Sequence, residues 1–346
     1  MINSQRGKKL RANRSAPSPW PAAVNGSSVQ GGNIANGAPI ARVVPRLRCQ
    51  ITPPRIHCDR VSPSLPPRPS QSLRAAGIGR AALQTLRAET RAAVSGLTSR
   101  GIFLATPTAR ILFLSFETHR GPLTINLGDP LSIDRGATAD LSPDRIALRD
   151  FAIRVDADTV WQPAPLTQPI LPATLQREIA QSLAQEIIAV KGAGGFGGLI
   201  LPLLDESAPP PDPALSILLR LRESIRNRQW AQAAERAAPL IGLGRGLTPS
   251  GDDLILGLLL LLNRRGDFVE PFNRQMIEHA RRRTTALSAN LIECAARGEA
   301  DERLLAAADC LLTGQPDAPT AARTLASWGA SSGADTLAGM AMALSG

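Results

Sequence analysis

The chain contains no tyrosine, and aromatics supply 3% of its residues. A nucleic-acid groove needs basic residues interleaved with aromatics on which bases can stack, so specific nucleic-acid binding is not expected. Histidine is as scarce. His57, His119 and His279 are too scattered to complete a zinc site, and Cys49, Cys58, Cys294 and Cys310 include no C-x-x-C pair. Reduced thiols in a cytoplasmic protein are the expectation. No apolar run approaches the roughly 18 residues of a membrane span; the longest, Leu254 to Leu262, has nine. The basic N-terminus lacks the apolar block of a signal peptide. Acidic residues are missing from one region. Residues 1–70 hold eleven of the 39 Lys and Arg but one of the 29 acids, Asp59, so the remainder balances at 28 of each. The net charge of +10 therefore belongs to the tail, and the body is neutral.

What is present divides the chain in three. Residues 1–72 are rich in Pro, Ser and Arg and read as a disordered or untranslated tail. Residues 73–165 read as a helix from Leu73 to about Leu97, with apolar residues at Leu83, Leu86 and Val94, followed by short β-leaning runs such as "ARILFLSF" and "FAIRVDADTV". These predict a small antiparallel sheet or barrel-like unit. Residues 166–346 predict a helical bundle, with helices near 173–190, 214–226, 229–240, 251–263, 271–283, 287–297, 302–312, 319–327 and 333–344 and a stiff "SAPPPDP" linker at 207–213. The fold class is α+β.

The chemistry concentrates in "GLGRGLTPSGDDLILGLLLLL" at 242–262. Ser250 and Asp253 fit the S-x-x-D capping box, and Asp252 and Asp253 in a first turn suit the helix dipole. Capping does not need Gly242, Gly244, Gly246 and Gly251, each of which costs conformational entropy. Glycines there let backbone N–H groups turn toward an oxyanion in front of a helix N-terminus. Thr248 and Ser250 add hydroxyl donors. The aspartates point instead to a cation, a proton-carrying group or an amide NH₂.

"SGADTLAG" at 332–339 repeats "SGDDLILG" at 250–257, pairing Ser332 with Ser250, Gly333 with Gly251, Asp335 with Asp253 and Gly339 with Gly257. Ser to terminal Gly spans about two turns, so the small residue returns to the face of the serine and permits close helix–helix contact. Between the two, Thr284, Thr285, Ser288 and Asn290 crowd a helix start. They are either solvated caps, with Ser288 as N-cap, or a third wall of a polar site. Arg281 to Arg283 read as a solvated face.

"GLGRGLTPSGDD", "TTALSANLIECAARGE" and "SSGADTLAG" resemble a bacterial domain-of-unknown-function family that includes the AllH-type subunit of oxamate carbamoyltransferase. The resemblance covers roughly residues 75–346 in order of elements and is specific over the three motifs. It implies a cytoplasmic protein of allantoin and purine nitrogen catabolism working with two other subunits. The implied reaction is phosphorolysis of oxalurate to oxamate and carbamoyl phosphate, or its reverse. On that resemblance, backbone around Gly244 to Gly246 with Thr248, Ser250 and Gly251 grips phosphate or carboxylate. Thr284, Thr285, Ser288, Asn290, Ser332 and Gly333 complete the binding wall. Asp252 or Asp253 orients the amide or acts as base, with Asp335 opposite. No cofactor is assigned, Mg²⁺ being compatible. The sequence departs from the family pattern where Gly-His often precedes the second Ser-Gly, since Gly329 is followed here by Ala330. Two alternatives stand beside this one: a non-catalytic assembly subunit, and a ribokinase-type kinase suggested by "SGADTLAG" and by "GGNIANGA" at 31–38.

Overall fold

The computed structural model describes residues 71–205 and 213–344. The expected disordered tail, Cys49, Cys58, residues 31–38 and most of the 207–213 linker therefore lie outside the described residues. Ten strands come first: β1 (Gln71–Arg74), β2 (Gly77–Gly79), β3 (Arg91–Thr98), β4 (Gly101–Ala105), β5 (Ile111–Ser115), β6 (Thr124–Asn126), β7 (Thr138–Ser142), β8 (Arg145–Leu148), β9 (Phe151–Arg154) and β10 (Val160–Trp161). They form one sheet in the order β1-β9-β8-β7-β3-β4-β5-β6-β2-β10. The sheet is mixed rather than antiparallel throughout. β1–β9, β2–β10 and β5–β6 pair in parallel, and the other neighbours antiparallel. Such non-local parallel pairings have no short-range signal in the sequence.

One helix, α1 (Arg80–Ala88), interrupts the strands. The helix expected from Leu73 to Leu97 is thus confined to these nine residues. Alanine-rich spacing suits a helix, but Leu73 lies in β1 and Val94 in β3, where strand neighbours claim them. α1 touches β2, β5, β7 and β10. β7 and β10 stand six places apart in the sheet order, roughly 29 Å if the sheet were flat. A nine-residue helix is about 13 Å long, so the sheet must curl around it. Ile78, Leu83, Leu86, Leu104, Leu114, Ile125, Ile146 and Ile153 close this core. Phe103 and Phe113, opposite each other in register, stack at 4.5 Å between ring centroids.

The rest is helical: α2 (Ala173–Lys191), α3 (Ile200–Leu204), α4 (Pro213–Arg226), α5 (Trp230–Ala237), α6 (Ser250–Arg265), α7 (Glu270–Arg283), α8 (Ala286–Ala295), α9 (Glu302–Thr313), α10 (Ala318–Ala326) and α11 (Ser332–Ala343). α3 alone has no counterpart in the sequence expectation. A helix that is apolar on all faces belongs in the interior. α6, buried from Gly251 to Leu262, and α11, buried from Gly333 to Ala343, are that pair. α7, α8 and α9 flank α6, while α2, α3, α4, α9 and α10 flank α11. No helix among the described residues is long and apolar enough to cross a membrane. The class is α+β.

Cys294 and Cys310 are free thiols inside the helical part. Burial pushes them up to about 11 and about 12. Thiolate is the reactive form, so neither should take up iodoacetamide at neutral pH until the protein is denatured. Peptide mapping by mass spectrometry checks this; native-state labelling of either would contradict the packing.

Candidate functional site

The two serine-glycine segments meet. α6 and α11 cross so closely that a Cβ on Gly257 would lie 1.9 Å from the Thr336 carbonyl oxygen, and one on Gly339 would lie 1.8 Å from that of Leu254. The two contacts are mates under the repeat, since Gly257 corresponds to Gly339 and Leu254 to Thr336. Side chains are excluded at the crossing, and the first turns of both helices are brought together.

The capping box expected at Ser250 does not form. Pro249 and Ser331 occupy the N-cap positions, and neither helix start has a side-chain cap bond. The Pro249 carbonyl accepts from the amides of Asp252 and Asp253 at 2.9 and 3.1 Å, which leaves the hydroxyls free to face the other helix. The Ser332 hydroxyl meets that of Thr248 at 3.2 Å. Ser332 and Thr248 stand beside Asp253, and Ser250 stands beside Asp335. Each helix therefore presents its serine to the other's aspartate.

Asp253 and Asp335 are 1% and 0% exposed. Burial is the main force raising both carboxyls, well above the ordinary range for Asp253, where the charge of Asp335 adds to it. Their surroundings differ. One oxygen of Asp335 accepts from the Phe196 amide at 2.6 Å, which favours the ionised form, while its other oxygen, with the Ser250 and Ser331 hydroxyls nearby, has no hydrogen bond of good geometry. The neighbouring hydroxyls partly offset the burial of Asp253, but neither of its oxygens has a hydrogen bond of good geometry. The pair is chemically divided: Asp253 tends to keep its proton, and Asp335 retains an amide donor that supports charge.

Asp252 does something else. Its carboxylate accepts from the Gly242 amide at 2.7 Å and from the Thr284 hydroxyl, so it ties the glycine loop and the start of α8 to α6. Burial raises it too, with those bonds opposing. Gly244 and Gly246 have φ of +116° and +109°, and the loop they shape is exposed. Among the described residues, the N–H groups of Gly244, Arg245, Gly246 and Leu247 donate to no protein group. Gly251 and Gly333 lie buried in the first turns of α6 and α11.

The remaining sequence candidates serve the framework. Thr285, not Ser288, caps α8: its hydroxyl accepts from the Ser288 amide at 3.1 Å and donates to the Leu247 carbonyl at 2.8 Å. Ser288 is buried beside Asp252. Asn290 accepts from the Ile111 amide at 3.2 Å and donates to the Ala109 carbonyl at 3.0 Å, which joins α8 to the sheet. Arg281 and Arg282 pair with Glu293 and Glu278, and Arg283 donates to the Ala238 carbonyl. Sequence reasoning missed Gly195 and Phe196. Gly195 has φ +60°, and a Cβ there would sit 2.3 Å from an Asp335 oxygen. The dense "GAGGFGG" at 192–198 was the available signal. No group of three or more His, Cys, Asp or Glu among the described residues is arranged to hold a metal; Asp252 is engaged by Gly242 and Thr284.

Residues 240–344 match the family model described as oxamate carbamoyltransferase subunit AllH. The matched segment runs through α6 to α11 and contains all three sequence motifs, in agreement with the resemblance read from the sequence. No solved structure matches the chain.

Proposed function

We propose that this chain is a subunit of an oxamate-carbamoyltransferase-type enzyme and holds a small anionic, amide-bearing metabolite where α6 and α11 meet. The observation that carries the reading is the divided aspartate pair with open valences, set beside a loop whose N–H groups are unspent. Buried polar groups normally find partners, so the unbonded aspartate oxygens support a ligand, and the exposed loop N–H groups stand open to an anion. The loop amides suit a phosphate or carboxylate, the free Asp335 oxygen suits an amide NH₂, and protonated Asp253 suits an atom that gains a proton.

Phosphorolysis of oxalurate uses all three. A phosphate oxygen bonds to the carbamoyl carbon, the bond from that carbon to the nitrogen retained by oxamate breaks, and that nitrogen takes up a proton. Asp253 is the donor in this direction and the acceptor in the reverse. Donors aimed where charge develops supply much of the rate in such transfers. The same reading carries the two further subunits, the cytoplasmic setting and the role in allantoin and purine nitrogen catabolism. Ala330, which stands where relatives often have His, favours a second reading in which this subunit binds and assembles without performing chemistry.

A thermal-shift screen of the full chain with oxalurate, oxamate, carbamoyl phosphate and ATP, with and without Mg²⁺, tests the proposal. A saturable shift with the carbamoyl compounds is expected. A shift with ATP alone would favour the kinase alternative, although a curled mixed sheet followed by helices lacks the strand–helix alternation of that fold. Activity of the reconstituted enzyme that is indifferent to Asp253→Asn would favour the assembly reading.

A further inference from the structure

A separate cavity of about 170 Å³ opens between α1 and α8, at the junction of the curled sheet and the helical part. An apolar cavity of ~150 Å³ accommodates a benzene ring, so the space suits a compact metabolite. Its lining is polar on one side. Arg110, just before β5, and Arg297, just beyond α8, both line it, together with Glu293. Glu293 is the shared partner of three guanidiniums: Arg110 at 2.8 Å, Arg281 at 2.8 Å and Arg297 at 3.4 Å. Arg80 and Arg297 also share Glu299, the latter at 3.8 Å.

Donors exceed acceptors here. Each guanidinium carries five N–H groups, while a carboxylate offers about four lone-pair positions. Two of the acceptors around the cavity are already engaged. Glu89 accepts from the Thr108 hydroxyl, and the Asn290 carbonyl oxygen accepts from the Ile111 amide. The Arg110 and Arg297 side chains remain 39% and 37% exposed at the opening, so a small solute can reach them. The α1 wall is mixed, with Ala81 and Ala88 beside Gln84 and Thr85, and Leu123 adds an apolar patch.

We infer that this cavity is a second binding site, distinct from the aspartate pair, for a small metabolite bearing a carboxylate or phosphoryl group. The oxyanion takes the unspent N–H groups of Arg110 and Arg297, and a short apolar portion rests on Leu123 and Ala88. The inference does not depend on the reading of the α6–α11 site.

Calorimetric titration of the full chain with inorganic phosphate and, separately, oxalate tests it and tells the two oxyanion sources apart. Arg297→Gln removes charge from the opening. Ala88→Leu fills the cavity from an exposed position, so it leaves the core undisturbed. Asp253→Asn controls for binding at the other site. The expected result is a saturable event with at least one probe, separate from any binding of the same anion at the 242–248 loop. It should weaken about tenfold or more in Arg297→Gln, the scale of one lost charge-assisted hydrogen bond. It should weaken likewise in Ala88→Leu and be unchanged in Asp253→Asn. Absence of saturable binding to both probes overturns the inference, as does any other pattern among the three variants.

Discussion

Gly339→Ala is expected to lower the unfolding free energy by about 3 kcal/mol or more, the upper end of what overpacking a core costs. The added methyl would lie 1.8 Å from the Leu254 carbonyl oxygen and 2.8 Å from the Leu258 amide nitrogen. Both are backbone atoms of a buried helix, so no side chain can swing aside, and α6 and α11 must separate. Against the ~5–15 kcal/mol that holds a typical domain together, that is a large fraction. Gly257→Ala should cost a similar amount through the Thr336 carbonyl. The double variant should cost clearly less than the sum, because one separation relieves both clashes. Denaturant midpoints measure all three. An unchanged midpoint for Gly339→Ala would mean that the helices are not in backbone contact.

Asp253→Asn should separate stability from function. Asparagine copies the shape of a protonated carboxyl, and its NH₂ can donate to Asp335 and to the hydroxyls of Thr248 and Ser332. Folding should survive, while turnover of the assembled enzyme should fall about 10²–10⁴-fold, the usual contribution of a positioned acid or base. The pH dependence follows from linkage. Burial first, then the charges of Asp335 and Asp252, raise Asp253 in the folded state above its ordinary 3.8. The native state therefore holds a proton that the unfolded chain releases. The stabilisation from this group is complete below about 3.8 and is lost as pH rises toward the folded value. Asparagine removes that slope. The melting temperature of the variant relative to the wild type should therefore rise with pH, and at neutral pH the variant should match or exceed the parent. A variant that melts lower at neutral pH while keeping full activity would make Asp253 a packing residue.

The sequence made the helical part legible to within a few residues because apolar spacing repeats along each helix and tertiary contacts agree with it. The contact between α6 and α11 was legible as well. Seven residues from Ser250 to Gly257, and again from Ser332 to Gly339, place glycine on the face that the serine presents. The capping box was misread for a local reason: Pro249 supplies the acceptor that the pattern assigned to Ser250, and the Ser250 hydroxyl is drawn across to Asp335. The helix read through Leu73 and Val94 failed because alanine-rich segments satisfy either periodicity, and sheet neighbours far along the chain decided the outcome. Phe196 escaped notice because its bond to Asp335 spans 139 residues, a distance at which no motif speaks.

Bare backbone touching bare backbone makes the glycine crossing behave like an axle. Asp253 immediately precedes Leu254, and Asp335 immediately precedes Thr336, so both acids ride close to the axle instead of out at the rim. If one helix swivels against the other, their spacing hardly changes. The segments at 192–198 and 242–248 are moored to the same frame, the first by Phe196 to Asp335 and the second by Gly242 to Asp252.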